Sequence, residues 1–128
     1  MTAEEAITAA ESILPGQAAP DGEIDIRWQA IIAVAEFIKT EPETVWLFAR
    51  KWGGHSDDDL RMAISICLLE HLLEYHFDAF IARVEDTANA DRLFADMVRS
   101  CWKFGQSEEP GRAARLNRLI AALGDQTG

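Results

Sequence analysis

The chain has 128 residues, 48% of them hydrophobic and 27% charged, and 22 acidic against 12 basic side chains give a net charge of −10. A chain of this length folds as one domain and buries roughly two-thirds of the surface that its unfolded form exposes. The hydrophobic content excludes an intrinsically disordered protein. The negative charge repels phosphate backbones, so we expect no nucleic-acid partner.

Three features predict a cytoplasmic protein that does not contact a membrane. The first 14 residues carry Glu4, Glu5 and Glu11 but no Lys or Arg, so we expect no export signal. The most apolar stretch, residues 62–69, is far shorter than the roughly 20 residues that span a bilayer. The only cysteines, Cys67 and Cys101, lie in helix-patterned apolar runs, which favours a reducing compartment.

The first half of the chain carries helix signals in regular succession. We predict a helix over residues 3–13, then a loop rich in proline and glycine, then an amphipathic helix over residues 24–38. Thr40 and Glu43 have the spacing of a capping box, and the helix that they begin should run to about Trp52.

The second half continues in the same way. Ser56 and Asp59 predict the start of a largely buried helix over residues 57–75, after the glycine pair Gly53-Gly54. Further apolar stripes predict shorter helices over residues 77–84, 93–102 and 110–123. No window alternates as a strand does, so we predict an all-α fold of about six to seven helices.

An offset of 34 residues relates two parts of the chain. Asp25-Ile26-Arg27 recurs as Asp59-Leu60-Arg61, and Trp46 aligns with Phe80. Such self-similarity is typical of helical-repeat proteins. An irregular helical bundle would also account for the helix pattern.

With the small residues Ala30 and Ala63, this pattern resembles HEAT-type repeats over residues 23–87, as in short bacterial proteins of that kind. The resemblance implies stacked antiparallel helix hairpins in a HEAT- or armadillo-like α-α superhelix. Residues 90–123 look like a degenerate third copy that could cap the stack. One helical-repeat domain would then comprise four segments: an acidic helix and loop (1–22), two hairpins (23–54 and 55–89), and a degenerate hairpin with a tail (90–128).

No segment makes a convincing catalytic, cofactor or metal site. In the segment Glu70–His76 the two histidines are five residues apart and point about 140° apart on a helix, so they cannot share a metal ion. The loop Gly53–Asp59 lacks the lysine of a phosphate loop and the alternating acids of a calcium loop. A buried Cys67 would be a poor nucleophile.

The remaining candidates are contacts for a partner, most simply another protein. Exposed residues of the inner helices would contact it, and aromatic side chains beside glycine turns and an arginine stripe on the last helix could add to the surface. The possible partner-binding residues are Arg27, Trp52, Arg61, Glu70, Glu74, Trp102, Arg112 and Arg115.

We therefore expect a non-enzymatic protein–protein interaction or scaffold module, with its oligomeric state left open. A small acidic helical domain could also be an immunity- or antitoxin-like protein that masks a basic toxin. A helical-repeat enzyme of the DNA-repair type is a third alternative, although its basic DNA-binding groove conflicts with the charge of this chain.

Overall fold

A computed structural model describes residues 1–124, and in this range every regular element is helical, which confirms the all-α prediction. The predicted tail residues 125–128 lie outside the described range. The α-helices are α1 (Ala3–Ile13), α2 (Ile26–Ala35), α3 (Pro42–Trp52), α4 (Asp58–Ile64), α5 (Glu70–Ala90), α6 (Arg92–Val98) and α7 (Pro110–Gly124). A π-helical turn (Ser65–Leu69) joins α4 to α5, and a 3₁₀ turn (Gly105–Glu108) precedes α7.

Aspartate residues start three of these helices. The carboxylate of Asp25 accepts the backbone N–H of Arg27 at the start of α2, and Asp57 accepts that of Leu60 at the start of α4. Asp91 accepts two backbone N–H groups at the start of α6. Each carboxylate satisfies donors that the first helical turn leaves free.

The two capping boxes predicted before α3 and α4 are wrong. Glu41 directly precedes α3, and no side chain caps the first turn of that helix. The N–H of Glu41 donates to Phe37 O at 2.7 Å, so Thr40 belongs to the turn that ends α2 and cannot cap α3. Ser56 is displaced as a cap by Asp57, whose own N–H donates to His55 Nδ1.

Two departures from regular helix shape the long segment from α4 to α5. The π-helical turn, Ser65–Leu69, lies in the middle of the run that the sequence predicts as one helix. At His76 the backbone leaves the helical conformation, with φ −141° and ψ 43°, so α5 has a kink between its first six residues and the rest. His76 separates the apolar runs that predict two helices at residues 57–75 and 77–84.

Helix α2 and the segment from α4 to the start of α5 lie side by side and run in the same direction. Near their first residues, Trp28 Nε1 donates to Asp59 Oδ2 at 3.0 Å. Near their last residues, His76 Nε2 contacts Ile38 O at 3.0 Å. These partners are 31 and 38 residues apart, close to the offset of the sequence repeat.

Helix α6 continues this row on the other side of α4. Arg61 Nη2 lies 3.2 Å from Asp96 Oδ2, and one turn later Ser65 Oγ lies 3.3 Å from Cys101 Sγ. The backbone N–H of Trp102 then donates to Glu70 Oε2. In these three contacts the residue number rises together on both partners, so α4 and α6 are also parallel neighbours.

A second set of contacts links α3, the part of α5 after His76, and α7. The rings of Trp46 and Phe80, which align in the sequence repeat, lie 5.9 Å apart. The same part of α5 pairs with α7 through Asp78 and Arg112. The apolar core lies between these helices and the row of α2, α4 and α6.

Candidate functional site

Arg27 is buried between α2 and α4. Its side chain is 1% exposed, and its guanidinium contacts Asp57 Oδ2 at 3.1 Å, Asp59 Oδ2 at 2.5 Å and the carbonyl of Pro15 at 3.1 Å. Its Nε lies 3.5 Å from Asp25 Oδ1. The expected exposure of Arg27 is therefore wrong, because the carboxylates of two helix starts enclose its charge.

Arg61 has the equivalent position between α4 and α6. Its side chain is also buried, and it donates to the carbonyl of His55 at 2.8 Å and to the carboxylates of Asp58 and Asp96. Its expected exposure is wrong for the same reason. The two arginines that define the repeat join helices within the fold.

Glu70 is buried as well, at 4% exposure, against the sequence expectation. Burial raises the pKa of its carboxyl group, although the N–H of Trp102, 2.8 Å from Oε2, stabilises the charged form. Glu74, one turn later, is half-buried and accepts a hydrogen bond from His71 Nδ1 at 2.6 Å. Glu70 thus anchors the segment after α6 through the N–H of Trp102, and Glu74 orients the ring of His71.

The segment between α6 and the 3₁₀ turn presents aromatic side chains. Trp102 is 71% exposed, as its position beside a glycine turn suggested, and the ring of Phe104 stacks on His71 with centroids 5.9 Å apart. Gly105 has φ +51°, and a side chain there would collide with Glu74. The backbone N–H of Trp102 is anchored by Glu70, while its ring is exposed.

The other three predicted residues contact different parts of the molecule. Trp52 Nε1 donates to Glu11 Oε2 at 3.1 Å, which docks α3 on α1. Arg112 and Arg115 make bidentate pairs with Asp78 and Glu85 of α5, respectively. The structure thus places none of these three beside Trp102.

Other exposed apolar side chains lie on the helices of the row that α6 and Trp102 continue. Ile32 on α2 is 51% exposed and Met62 on α4 is 40% exposed. Ile66, four residues after Met62, is partly exposed, and Trp28 lies four residues before Ile32. We call this surface across the helix row the apolar face: Trp28, Ile32, Met62, Ile66 and Trp102.

One signal in the sequence could have located part of the apolar face. The helix predicted over residues 57–75 is apolar around most of its circumference, which exceeds the stripe that one core-facing side needs. Met62 and Ile66 are the apolar residues of this helix that lie outside its core-facing stripe. Ile32 follows Ile31, and only one of two adjacent helical residues can point straight into the core.

Two depressions flank the apolar face. One, of about 350 Å³, lies between the end of α2 and the start of α5 and contains Glu36, Lys39, His71 and Tyr75, with the Lys39 ammonium 4.6 Å from the Tyr75 ring centre. The other, of about 230 Å³, lies between α4 and α6 and is lined by Asp58, Arg61, Met62, Asp96, Met97 and Ser100.

The thiols near this face are poor nucleophiles. Burial raises the pKa of Cys67 to about 11 and that of Cys101 to about 12, and the charge of Glu70 acts in the same direction. Among residues 1–124, no three His, Cys, Asp or Glu side chains are grouped as a metal ion requires. Within the same range, no helix has the length and apolar character needed to cross a membrane.

The chain is thus an all-α protein whose parallel helix row carries an exposed apolar face. It belongs to a family of unknown function (DUF6869), whose model matches residues 17–121. The whole apolar face lies within the matched residues, whereas α1 lies outside them. Searches among curated proteins and solved structures returned no match.

Proposed function

We propose that this chain is a non-enzymatic protein–protein interaction or scaffold module whose partner binds over the apolar face. The observation that carries the proposal is the exposure of Ile32, Met62 and Trp102 on neighbouring elements of one helix row. Exposed apolar side chains grouped on an ordered surface mark interaction sites, and tryptophan is enriched among residues that dominate binding energy.

We further propose that the helices form a HEAT-like α-α superhelix, in a bacterial cytoplasmic protein. Contacts along the row, including the residues that directly follow α2, α4 and α6, join residues 31 to 38 positions apart, which supports a repeated unit of about the length seen in the sequence. The buried Arg27 and Arg61, 34 residues apart, each bridge one helix of the row to the next. In such a stack the row of parallel helices forms the recognition surface.

Affinity capture with matched variants tests the proposed function. Three forms of the protein are immobilised separately and exposed to native lysate: the wild type, the double variant Ile32→Ser/Met62→Ser and the control Leu47→Ser. Leu47 is a suitable control because it is exposed on α3, in a groove against α1. We expect specific proteins to be retained by the wild type and the control but lost with the double variant. Equal retention by all three would contradict the proposal.

An immunity- or antitoxin-like role is the second candidate, favoured by the net charge of −10. Such a charge accelerates association with a basic partner at low salt. If this role is correct, the protein retained by the wild type is a basic toxin whose activity stoichiometric amounts of this chain abolish. A retained protein that is neither basic nor inhibited would contradict this role and leave the scaffold proposal standing.

A helical-repeat enzyme of the DNA-repair type has less support. The acidic surface opposes DNA binding, and the raised pKa values of both thiols oppose nucleophilic catalysis. We expect no mobility shift of duplex DNA at low salt. A mobility shift at low salt would revive this alternative.

A further inference from the structure

Acidic side chains border the apolar face at both ends of the helix row. Near the start of α4 the carboxylates are those of Asp58 and Asp59, joined by that of Asp96 on α6. At the opposite end, Glu36 and Glu74 lie beside the depression between α2 and α5. The apolar face therefore lies between two acidic edges.

The basic groups near these edges are already engaged by the protein itself. Arg61 is buried and shared between Asp58 and Asp96, and Arg99 pairs with Asp96. Lys39 lies over the ring of Tyr75. These pairs, together with that of Arg27 and Asp59, neutralise part of the acidic edges, but the side chains of Asp58, Asp59 and Asp96 remain 91%, 43% and 57% exposed. On a chain of net charge −10, such exposed carboxylates complement a basic partner.

We propose that the apolar face binds a basic amphipathic helix of another protein, an inference that rests on the proposed function. The apolar stripe of such a helix would cover Ile32, Met62 and Trp102, while Lys or Arg side chains on its flanks would reach the acidic edges. Helices commonly bind in this manner to apolar grooves with charged borders. A second copy of this chain is disfavoured, because it would bring together two chains that each have a net charge of −10.

The groove between α1 and α3 is the alternative apolar surface. It measures about 330 Å³ and contains Ile7, Leu47 and Phe48, but Lys51 pairs with Glu11 across it at 2.6 Å. Because α1 lies outside the residues matched by the family model, this groove is not built from the family's part of the chain alone. The apolar face is built from the matched residues alone, and this favours it as the docking surface.

Two synthetic helical peptides test the inference. Both have about 18 residues, or about five helical turns, with leucine on one face, and the other face carries lysine in one peptide and glutamate in the other. Binding to the full chain is measured by fluorescence anisotropy at physiological salt. We expect the lysine peptide to bind at least about tenfold more tightly than the glutamate peptide.

Variants then locate the peptide. Ile32→Ser, Met62→Ser and Trp102→Ser should each weaken binding of the lysine peptide by about tenfold, and Leu47→Ser should leave it unchanged. All four side chains are exposed, so the variants should fold, which urea unfolding verifies. Glu36→Gln should weaken binding less, by about twofold to threefold, and the weakening should diminish in high salt.

Three outcomes would overturn the inference. These are equal affinity for the two peptides, lysine-peptide binding that the three variants leave intact, or self-association of the wild type that the same variants abolish. Affinity capture separates this failure from failure of the proposed function. If Ile32→Ser/Met62→Ser still loses its captured protein while the lysine peptide shows no preference, the interaction module stands and its partner is not a basic helix.

Discussion

The two junctions of the helix row use the same residue type in different surroundings. At the first junction, between α2 and α4, the carboxylates around Arg27 have side-chain exposures of 16% for Asp25, 30% for Asp57 and 43% for Asp59. At the second, between α4 and α6, Arg61 pairs with Asp58 and Asp96, which are 91% and 57% exposed. The sequence repeat therefore places an arginine at both junctions, but the carboxylates that pair with it are more shielded from water at the first junction than at the second.

This difference indicates which junction contributes more to the stability of the helix row. A charge pair shielded from water is strong once formed, but leaves a costly unpaired charge if one partner is removed. A pair with exposed carboxylates is screened by water and salt. The first junction should therefore act as a rigid part of the fold, and the second should open more readily.

Replacement of Arg27 should have the largest effect. Arg27→Met preserves much of the buried aliphatic volume but leaves the partly covered carboxylates of Asp57 and Asp59 without their cation, so we expect a loss of about 2–4 kcal/mol in the free energy of unfolding. Urea denaturation measures it. Arg112→Met is the control, because its partner Asp78 is exposed and no buried charge remains. Equal losses in the two variants would contradict the shielding of Arg27.

Replacement of Arg61 should cost less. Arg61→Met loses the hydrogen bond to the carbonyl of His55 and two screened ion pairs, so we expect about 1–2 kcal/mol by the same measurement. Added salt should reduce this loss more than it reduces the loss for Arg27→Met. A larger loss than that of Arg27→Met would reverse the ranking of the junctions.

The two junctions should also respond to pH in opposite directions. The pKa of Asp57 is lowered by the N–H of Leu60 and by Arg27, so its stabilisation is present above the unfolded value of about 3.9 and is lost as pH falls through the folded pKa. Burial raises the pKa of Glu70, so its charged form carries a penalty that diminishes as pH falls through the folded pKa towards about 4.3.

Two variants separate these contributions. The stability difference between wild type and Glu70→Gln should shift in favour of the wild type as pH falls towards about 4.3, by less than about 1.4 kcal/mol per pH unit. The difference between wild type and Asp57→Asn should shrink only below about pH 3.9. Urea unfolding across this pH range measures both. A Glu70→Gln difference that does not vary with pH would contradict the burial of a charged Glu70.

Much of the helix arrangement could be predicted from the sequence. Apolar spacing predicted α1 over residues 3–13, as observed, and the break near His76. The capping residues were misplaced by one position because Thr40 and Ser56 have the right chemistry, and the competing turn contacts of Phe37 and His55 become visible only in three dimensions. The capping preference of a single residue does not take into account the hydrogen bonds that the preceding turn makes with its neighbours.

The candidate site was less predictable. Charged residues such as Arg27 are seldom buried without partners, so an exposed position was the natural expectation. Its partners Asp57 and Asp59 are 30 and 32 residues away in the sequence. Conversely, the exposure of Ile32 and Met62 depends on how the helix row packs. Trp102 is exposed as predicted, whereas Trp52, predicted on the same ground beside Gly53, packs partly against the core.

The smallest expected effect concerns local opening of the second junction. Cys101 Sγ packs against Ser65 Oγ there, and its pKa of about 12 leaves almost no thiolate at neutral pH. In a Cys67→Ala background, an aromatic disulfide reagent should therefore react slowly with Cys101. Arg61→Met should accelerate the reaction about fivefold or more at urea concentrations too low to unfold the chain, because it loosens α4 against α6.

Arg27→Met provides the decisive comparison, since it destabilises the fold more but acts at the other junction. If Cys101 becomes accessible only through global unfolding, its reaction rate will follow total stability, and Arg27→Met will accelerate it more than Arg61→Met. If the second junction opens on its own, Arg61→Met will produce the larger acceleration despite its smaller loss of stability. The order of the two rates therefore decides whether α6 and Trp102 move independently of the rest of the row.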